Sequence, residues 1–259
     1  MLILLPPSEG KAVPRRGKRL DLATLAFPGL GPTRERVLAA LVDLCMGAPD
    51  AAARTLGIGP SQWDLIDLNG RLPTAPTARA DRVYTGVLYD ALDAGSLPPA
   101  AKRRAGSRLA VTSALFGLVR PSDRIPAYRL SGDTTLPGLG PVAAAWRPVL
   151  GAAVEEALGE GLLVDLRSTT YAAFWRPQAS SGPRVATVRV LHESGGRRQV
   201  VSHFNKATKG RIVRAVLEDG GRPRTPAAFA DQLRDLGWKV EESEAARTGT
   251  QLDVVVDEL

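Results

Sequence analysis

Cysteine occurs once in this 259-residue chain, at Cys45, and histidine twice, at His192 and His203. A single thiol excludes an internal disulfide framework and any multi-cysteine zinc site. The two histidines are placed before a turn and in a strand, so they form no local pair of metal ligands. With no HxH, ExxH or cysteine cluster, direct iron binding has little support, and no metal or cofactor is expected. No apolar run approaches the roughly 20 residues that cross a bilayer. The opening MLILL ends at Pro6 and lacks the basic flank and length of a signal-peptide core. These absences predict a cytoplasmic protein with no membrane partner. A GxSxG elbow, a Walker loop, a GxGxxG turn after a strand and an HExxH helix are all missing. Lysine is scarce as well, supplying only six of the 34 basic residues.

What is present is ordinary in bulk and uneven in charge. Hydrophobic residues make up 44% and charged residues 24%, enough to bury a full core. No internal repeat, low-complexity tract or polar linker interrupts the chain, which predicts one domain over residues 1–259. The net charge is +7 and the isoelectric point about 10. Residues 241–259 hold six acids and one base, so residues 1–240 carry +12. Arginine pairs bidentately with phosphate and carboxylate, so an arginine-rich body favours a polyanionic partner. A GC-rich coding bias, which raises arginine, alanine and glycine together, explains the composition equally well.

The spacing of apolar residues predicts alternating strands and helices. Residues 2–5 read as a buried strand, 6–11 as a loop and 12–32 as an irregular excursion. Thr33 is placed as the cap of a helix with its apolar stripe at Leu38, Leu41, Val42 and Cys45. Short helices are expected at 50–56 and from Ser61, with Gly57-Ile58-Gly59-Pro60 between them. Residues 84–94 read as helix or mixed structure. Residues 108–112 read as a strand, 143–158 as an amphipathic helix and 162–166 as a strand covered on both faces. A hairpin is expected from 185–191 and 199–204, then helices at 206–217 and 226–236. Thr225 should cap the last of these with Pro226 at its first position. Strands at 237–241 and 251–256 complete an α/β (α+β) fold, a mixed sheet with surrounding helices.

Four constellations carry possible chemistry. Gly57 and Gly59, near 50–66, have the grammar of a helix-hairpin-helix element, in which glycines admit a phosphate to a helix N-terminus. A tight helix–helix turn is the simpler reading and is placed ahead. Lys206, Lys209, Gly210, Arg211 and Arg214 crowd cations where a helix should begin, against its dipole, as a held anion would require. A solvated helix face gives the same run. Arg120, Asp123, Arg124, Tyr128 and Arg129 fall in an irregular segment, where guanidiniums beside an aromatic ring suit a base and its phosphate. An arginine–aspartate structural network is the alternative. Ser168, Thr169 and Tyr171 follow an apolar strand, at the end where open α/β sheets hold ligands. An N-cap is the plainer use of Ser168 or Thr169.

Several segments together resemble the YaaA (DUF328) family of bacterial peroxide-stress proteins. They are MLILLPPSEGK at 1–11, VYTG at 83–86, SALFGLVRPSDRIPAYRL at 113–130, VDLRSTTY at 164–171 and SHFNKATKGR at 202–211. They follow the family's order and cover nearly the whole chain. The resemblance implies a single mixed α/β fold with a positively charged cleft and a helix-hairpin-helix element. It implies DNA binding and a role in limiting intracellular iron and oxidative DNA damage under peroxide. Carried over by motif, the cleft residues are Lys11, Tyr84, Thr85, Gly86, Arg120, Asp123, Tyr128, Arg129, Ser168, Tyr171, Lys206 and Lys209. Two departures stand out. The first loop reads PPSEGK rather than the shorter SPAK-type loop, and His203 stands where an aromatic is more usual.

Two functions therefore compete. One is a DNA-binding stress protein that holds phosphates in a basic cleft, with weak sequence preference and strong salt dependence. The other is an enzyme acting on a nucleotide, a nucleobase or another small anionic substrate in the same cleft, with Glu9, Asp123 or His203 as acid–base candidates. Cleft shape discriminates them, and sequence does not supply it.

Overall fold

The computed structural model describes residues 1–195 and 197–257, and only the backbone of Ser202 and His203. The chain opens with β1 (Leu2–Leu5), α1 (Gly31–Met46), α2 (Pro49–Leu56) and α3 (Asp64–Gly70). It continues through β2 (Ala78–Arg79), α4 (Ala80–Val83), α5 (Val87–Leu92) and α6 (Pro99–Arg108). Next come β3 (Leu109–Ser113), β4 (Gly117–Val119), β5 (Arg124–Ile125), β6 (Thr135–Leu136), β7 (Gly140–Pro141) and α7 (Val142–Leu158). Then follow β8 (Leu163–Asp165), α8 (Thr169–Ala172), β9 (Val185–Ser194) and β10 (Arg197–Gln199). Last are α9 (Ser202–Asp219), α10 (Pro226–Asp235), β11 (Lys239–Glu242) and β12 (Thr250–Val256).

Eight strands make one mixed sheet in the order β11-β12-β9-β8-β1-β3-β4, with β10 paired to β9. The five central strands, β12 to β3, run parallel. Antiparallel β11 and β4 close its two edges. Every residue of β1, β3 and β8 is buried, as strands covered on both faces must be. This is the α/β mixed-sheet fold that the alternation of elements predicts.

Chain order fixes where a ligand can enter. From β1 the chain passes to β3 on one side, then crosses back to β8 on the other. The loops after β1 and β8 therefore leave in opposite directions from the carboxyl ends of adjacent parallel strands, the position at which open α/β sheets hold ligands.

The observed elements depart from the sequence expectations in places. Thr33 lies inside α1, whose N-cap is Leu30 with Pro32 in the first turn. Helix α6, over Pro99–Arg108, has no counterpart among the expected elements, because its AAKRRAGSR face offers little apolar periodicity. The expected second hairpin strand at 199–204 stops at Gln199, and α9 begins at Ser202. Alternating Val200, Ser202 and Phe204 imitate a strand, but the Phe204 ring stacks on His192, with ring centroids 6.5 Å apart. His203 is therefore helical in its backbone, not in a strand. Its side chain, offered as an acid–base group, lies outside the described residues. Thr225 does cap α10, its hydroxyl accepting from the Ala228 N–H at 3.2 Å.

Candidate functional site at the carboxyl ends of β1 and β8

The loop after β1 is held in shape by its own hydroxyl. Ser8 Oγ donates to the Gly10 carbonyl at 2.6 Å and accepts from the Thr85 N–H at 3.1 Å. Lys11 then pairs by backbone with Tyr84, and Tyr89 donates its hydroxyl to the Pro6 carbonyl at 2.7 Å. These bonds lay the 6–11 loop against the segment carrying Tyr84, Thr85 and Gly86, which leads into α5. Gly86 is the N-cap of α5 at φ 91°, a conformation that side chains resist.

Lys11 is the centre of the site. Its ammonium sits 4.1 Å from the centroid of the Tyr128 ring and 5.7 Å from that of Tyr84. It donates to the Ser8 carbonyl at 2.7 Å. Burial, and then the charge of Arg129, lower its pKa from 10.5 to about 7, with Glu9 opposing. Behind it runs a chain of hydroxyls: Tyr84 to Tyr128 at 3.1 Å, and Tyr128 to Ser113 at 2.8 Å. Burial pushes the Tyr84 and Tyr128 hydroxyls well above their ordinary value, so both stay protonated.

Arg129 and Glu9 form an ion pair at the mouth of the site. The Arg129 backbone is clamped by Asn69 of α3, which accepts from its N–H at 2.9 Å and donates to its carbonyl at 2.8 Å. Arg129 Nε is buried and has no acceptor among the described residues. Tyr171 joins from α8: its ring packs on Phe174, and burial followed by Tyr128 and Glu9 raises its pKa. Ser168 is exposed at the N-cap of α8, and its hydroxyl has no partner among the described residues. The turn into α8 is set by a buried pair, Arg167 to Asp165 at 2.7 Å.

Lys209 reaches this end of the sheet from α9, donating to the Leu166 carbonyl at 3.0 Å. Burial lowers its pKa to about 8, with Asp165 opposing. Lys206, one turn earlier, is exposed. Arg211 is also exposed, two positions beyond Lys209 and so across the helix from it.

The structure brings together Glu9, Lys11, Tyr84, Thr85, Gly86, Tyr128, Arg129, Ser168, Tyr171 and Lys209. It does not bring Arg120 or Asp123 there. Strand β4 runs antiparallel to β3, so Arg120 emerges at the amino end of β3 and donates to the Ser107 and Leu109 carbonyls at 3.0 and 2.9 Å. Asp123 accepts from the Arg120 N–H at 2.9 Å and the Ala26 N–H at 3.2 Å, stapling two loops. Gly57 ends α2 in the left-handed region at φ 61°, and Gly59 is extended before a short 3-10 turn. Their hairpin leads directly into α3 and so to Asn69.

Nothing in the local sequence pattern singles out Asn69, Ser8 or Ser113 as functional. Asn69 stands in a helix among apolar neighbours, where a fully buried amide signals a specific backbone partner.

The comparison with known families settles membership. The family described as peroxide stress protein YaaA matches residues 1–244. This chain belongs to the YaaA family. Curated relatives of this YaaA-family chain are UPF0246 proteins. One from Streptomyces coelicolor is 51% identical over 261 residues, spanning all of both chains. Another from Corynebacterium efficiens is 42% identical, covering 95% of this chain and 97% of the relative. A third from Corynebacterium glutamicum is 40% identical over 94% of this chain and 96% of the relative. No helix among the described residues is long and apolar enough to cross a membrane.

Proposed function

We propose that the cluster of side chains at the β1–β8 switch point binds the phosphates of DNA. We propose further that the chain serves the peroxide-stress response for which its family is described, in the cytoplasm, limiting intracellular iron and oxidative DNA damage. The observation that carries the reading is Arg129. Its Nε is a buried N–H donor with no acceptor among the described residues, beside a lysine whose ammonium is disfavoured by burial and by that same arginine. An anion entering here satisfies the donor and returns charge to Lys11. The α2–α3 hairpin supports the DNA reading, because Asn69 ties it to the backbone of Arg129.

Fluorescence anisotropy with duplex DNA at about 50 and about 200 mM salt tests this. Affinity should fall steeply with salt. Lys206→Ala, at an exposed residue, should weaken binding at low salt and reduce the log–log salt slope by about one. Absence of binding at the lower salt concentration refutes the reading. An unchanged slope removes Lys206 from the interface.

One observation favours a second reading, catalysis on a nucleotide, nucleobase or other small anion. A lysine titrating at about 7 against a Tyr84–Tyr128–Ser113 hydroxyl chain is richer chemistry than phosphate binding needs. Turnover in a nucleotide and nucleobase panel, lost in Lys11→Met, would establish it.

A further inference from the structure

At the opposite end of the parallel strands lies a second basic feature. Residues Arg103, Arg104 and Arg108 of α6 and Arg222 and Arg224 beyond α9 surround a cavity of about 670 Å³. Glu160 is the one acid in its wall among the described residues. Arg108 immediately precedes β3 and Glu160 lies just before β8, so the cavity is at the amino ends of these strands, away from Lys11 and Ser168.

Two of the five arginines have a structural use. Arg104 donates to the Leu217 carbonyl at 2.6 Å and the Glu218 carbonyl at 2.9 Å. Arg108 donates to the Gly221 carbonyl at 2.9 Å and the Gly220 carbonyl at 3.2 Å. Cations at the carbonyl end of α9 are favourable, and these bonds fix both guanidiniums in place. That use does not extend to Arg103, Arg222 and Arg224, whose side chains have no hydrogen bond or ion pair among the described residues. Like charges gathered on one concavity repel. Burial, then Arg222 and Arg104, push the Arg108 guanidinium below its ordinary pKa, and Asp219 is the group that opposes them.

We propose that this basin is a second anion site, built for a compact anion carrying two or more phosphates. Guanidiniums recognise phosphate bidentately, and two here are already oriented by backbone carbonyls. They converge on a concavity of the size that takes small ligands, rather than lying in a row along a ridge as duplex phosphates would demand. The reading is independent of the site at Lys11.

Calorimetric titration of the full chain with inorganic tripolyphosphate and, separately, with ATP tests the proposal. Saturable binding of both assigns recognition to the phosphates, and binding of ATP alone assigns it to a nucleotide; either supports the site. The double variant Arg222→Ala/Arg224→Ala changes two exposed loop residues and should weaken binding about tenfold or more, with Arg222→Lys/Arg224→Lys intermediate. Lys206→Ala should leave this binding unchanged. Three results overturn the proposal: no saturable binding of either ligand, binding undiminished in the double alanine variant, or a loss in that variant of duplex DNA binding alone.

Discussion

Glu9 separates the two readings of the Lys11 site more sharply than any other residue. Its carboxylate is two-thirds exposed yet paired with Arg129, so it occupies the guanidinium that an incoming phosphate would use. If the site only binds, Glu9→Gln frees Arg129 and removes a like charge facing the ligand. DNA affinity should then rise several-fold in the anisotropy titration. If Glu9 is a general acid or base, the same variant should abolish turnover instead. Lys11, Tyr128 and Arg129 were legible in the sequence as types in suggestive motifs. Arg120 looked equally suitable, yet its guanidinium stacks on Phe27 at 5.0 Å and donates to carbonyls at the wrong end of the sheet.

Two helix contacts decide whether the site keeps its shape. Gly210 of α9 lies against α5 so closely that a Cβ there would stand 2.2 Å from the Leu88 carbonyl oxygen and 2.8 Å from Ala91 Cβ. Gly210, in the basic run that begins α9, thus serves close packing of α5 on α9. Gly210→Ala should force these helices apart and cost roughly 1–3 kcal/mol in urea unfolding. It should weaken DNA binding too, since α5 follows Tyr84–Gly86 and Lys209 precedes Gly210. Asn69 of α3 makes the second contact. Asn69→Ala leaves the Arg129 N–H and carbonyl without partners and should cost roughly 2–4 kcal/mol by the same measurement. The break between α2 and α3 was readable from Gly57 and Gly59. The connection of Asn69 to Arg129, 60 residues onward, was not, because a side-chain-to-backbone bond leaves no periodicity in the chain.

Titration of the buried site shapes the stability of the molecule as a whole. The folded chain holds Lys11 at about 7 and Lys209 at about 8, against an ordinary 10.5. Between these values and 10.5 the unfolded chain binds more protons, so stability contributed by both lysines rises with pH across that window. Above about pH 10 the sign reverses. Burial raises Tyr84, Tyr89, Tyr128 and Tyr171, so the unfolded chain loses tyrosine protons that the folded chain keeps. Urea unfolding at about pH 7, 9 and 11 should therefore find the greatest stability at the middle value. Lys11→Met should flatten the rise from the first to the second. An unchanged rise would show that Lys11 is no more buried than an ordinary surface lysine.

Local pattern was enough for most of the elements and their order, though not for α6 or for the start of α9. The continuous apolar runs at 2–5 and 162–166 mark strands covered on both faces, and alternation of strands with helices makes their sheet parallel at its centre. Motif order also assigns the family. The arrangement of charges came from topology. A parallel strand and an antiparallel one deliver their following loops to opposite poles, so Lys11 and Arg120, alike in sequence as basic residues in Pro-flanked loops, end far apart in role. The arginines of α6 and of the 220–224 loop, unremarkable along the chain, meet around one cavity because α6 packs against α9. Periodicity reports which face of an element is buried; it carries no information about which pole of a sheet a loop will reach.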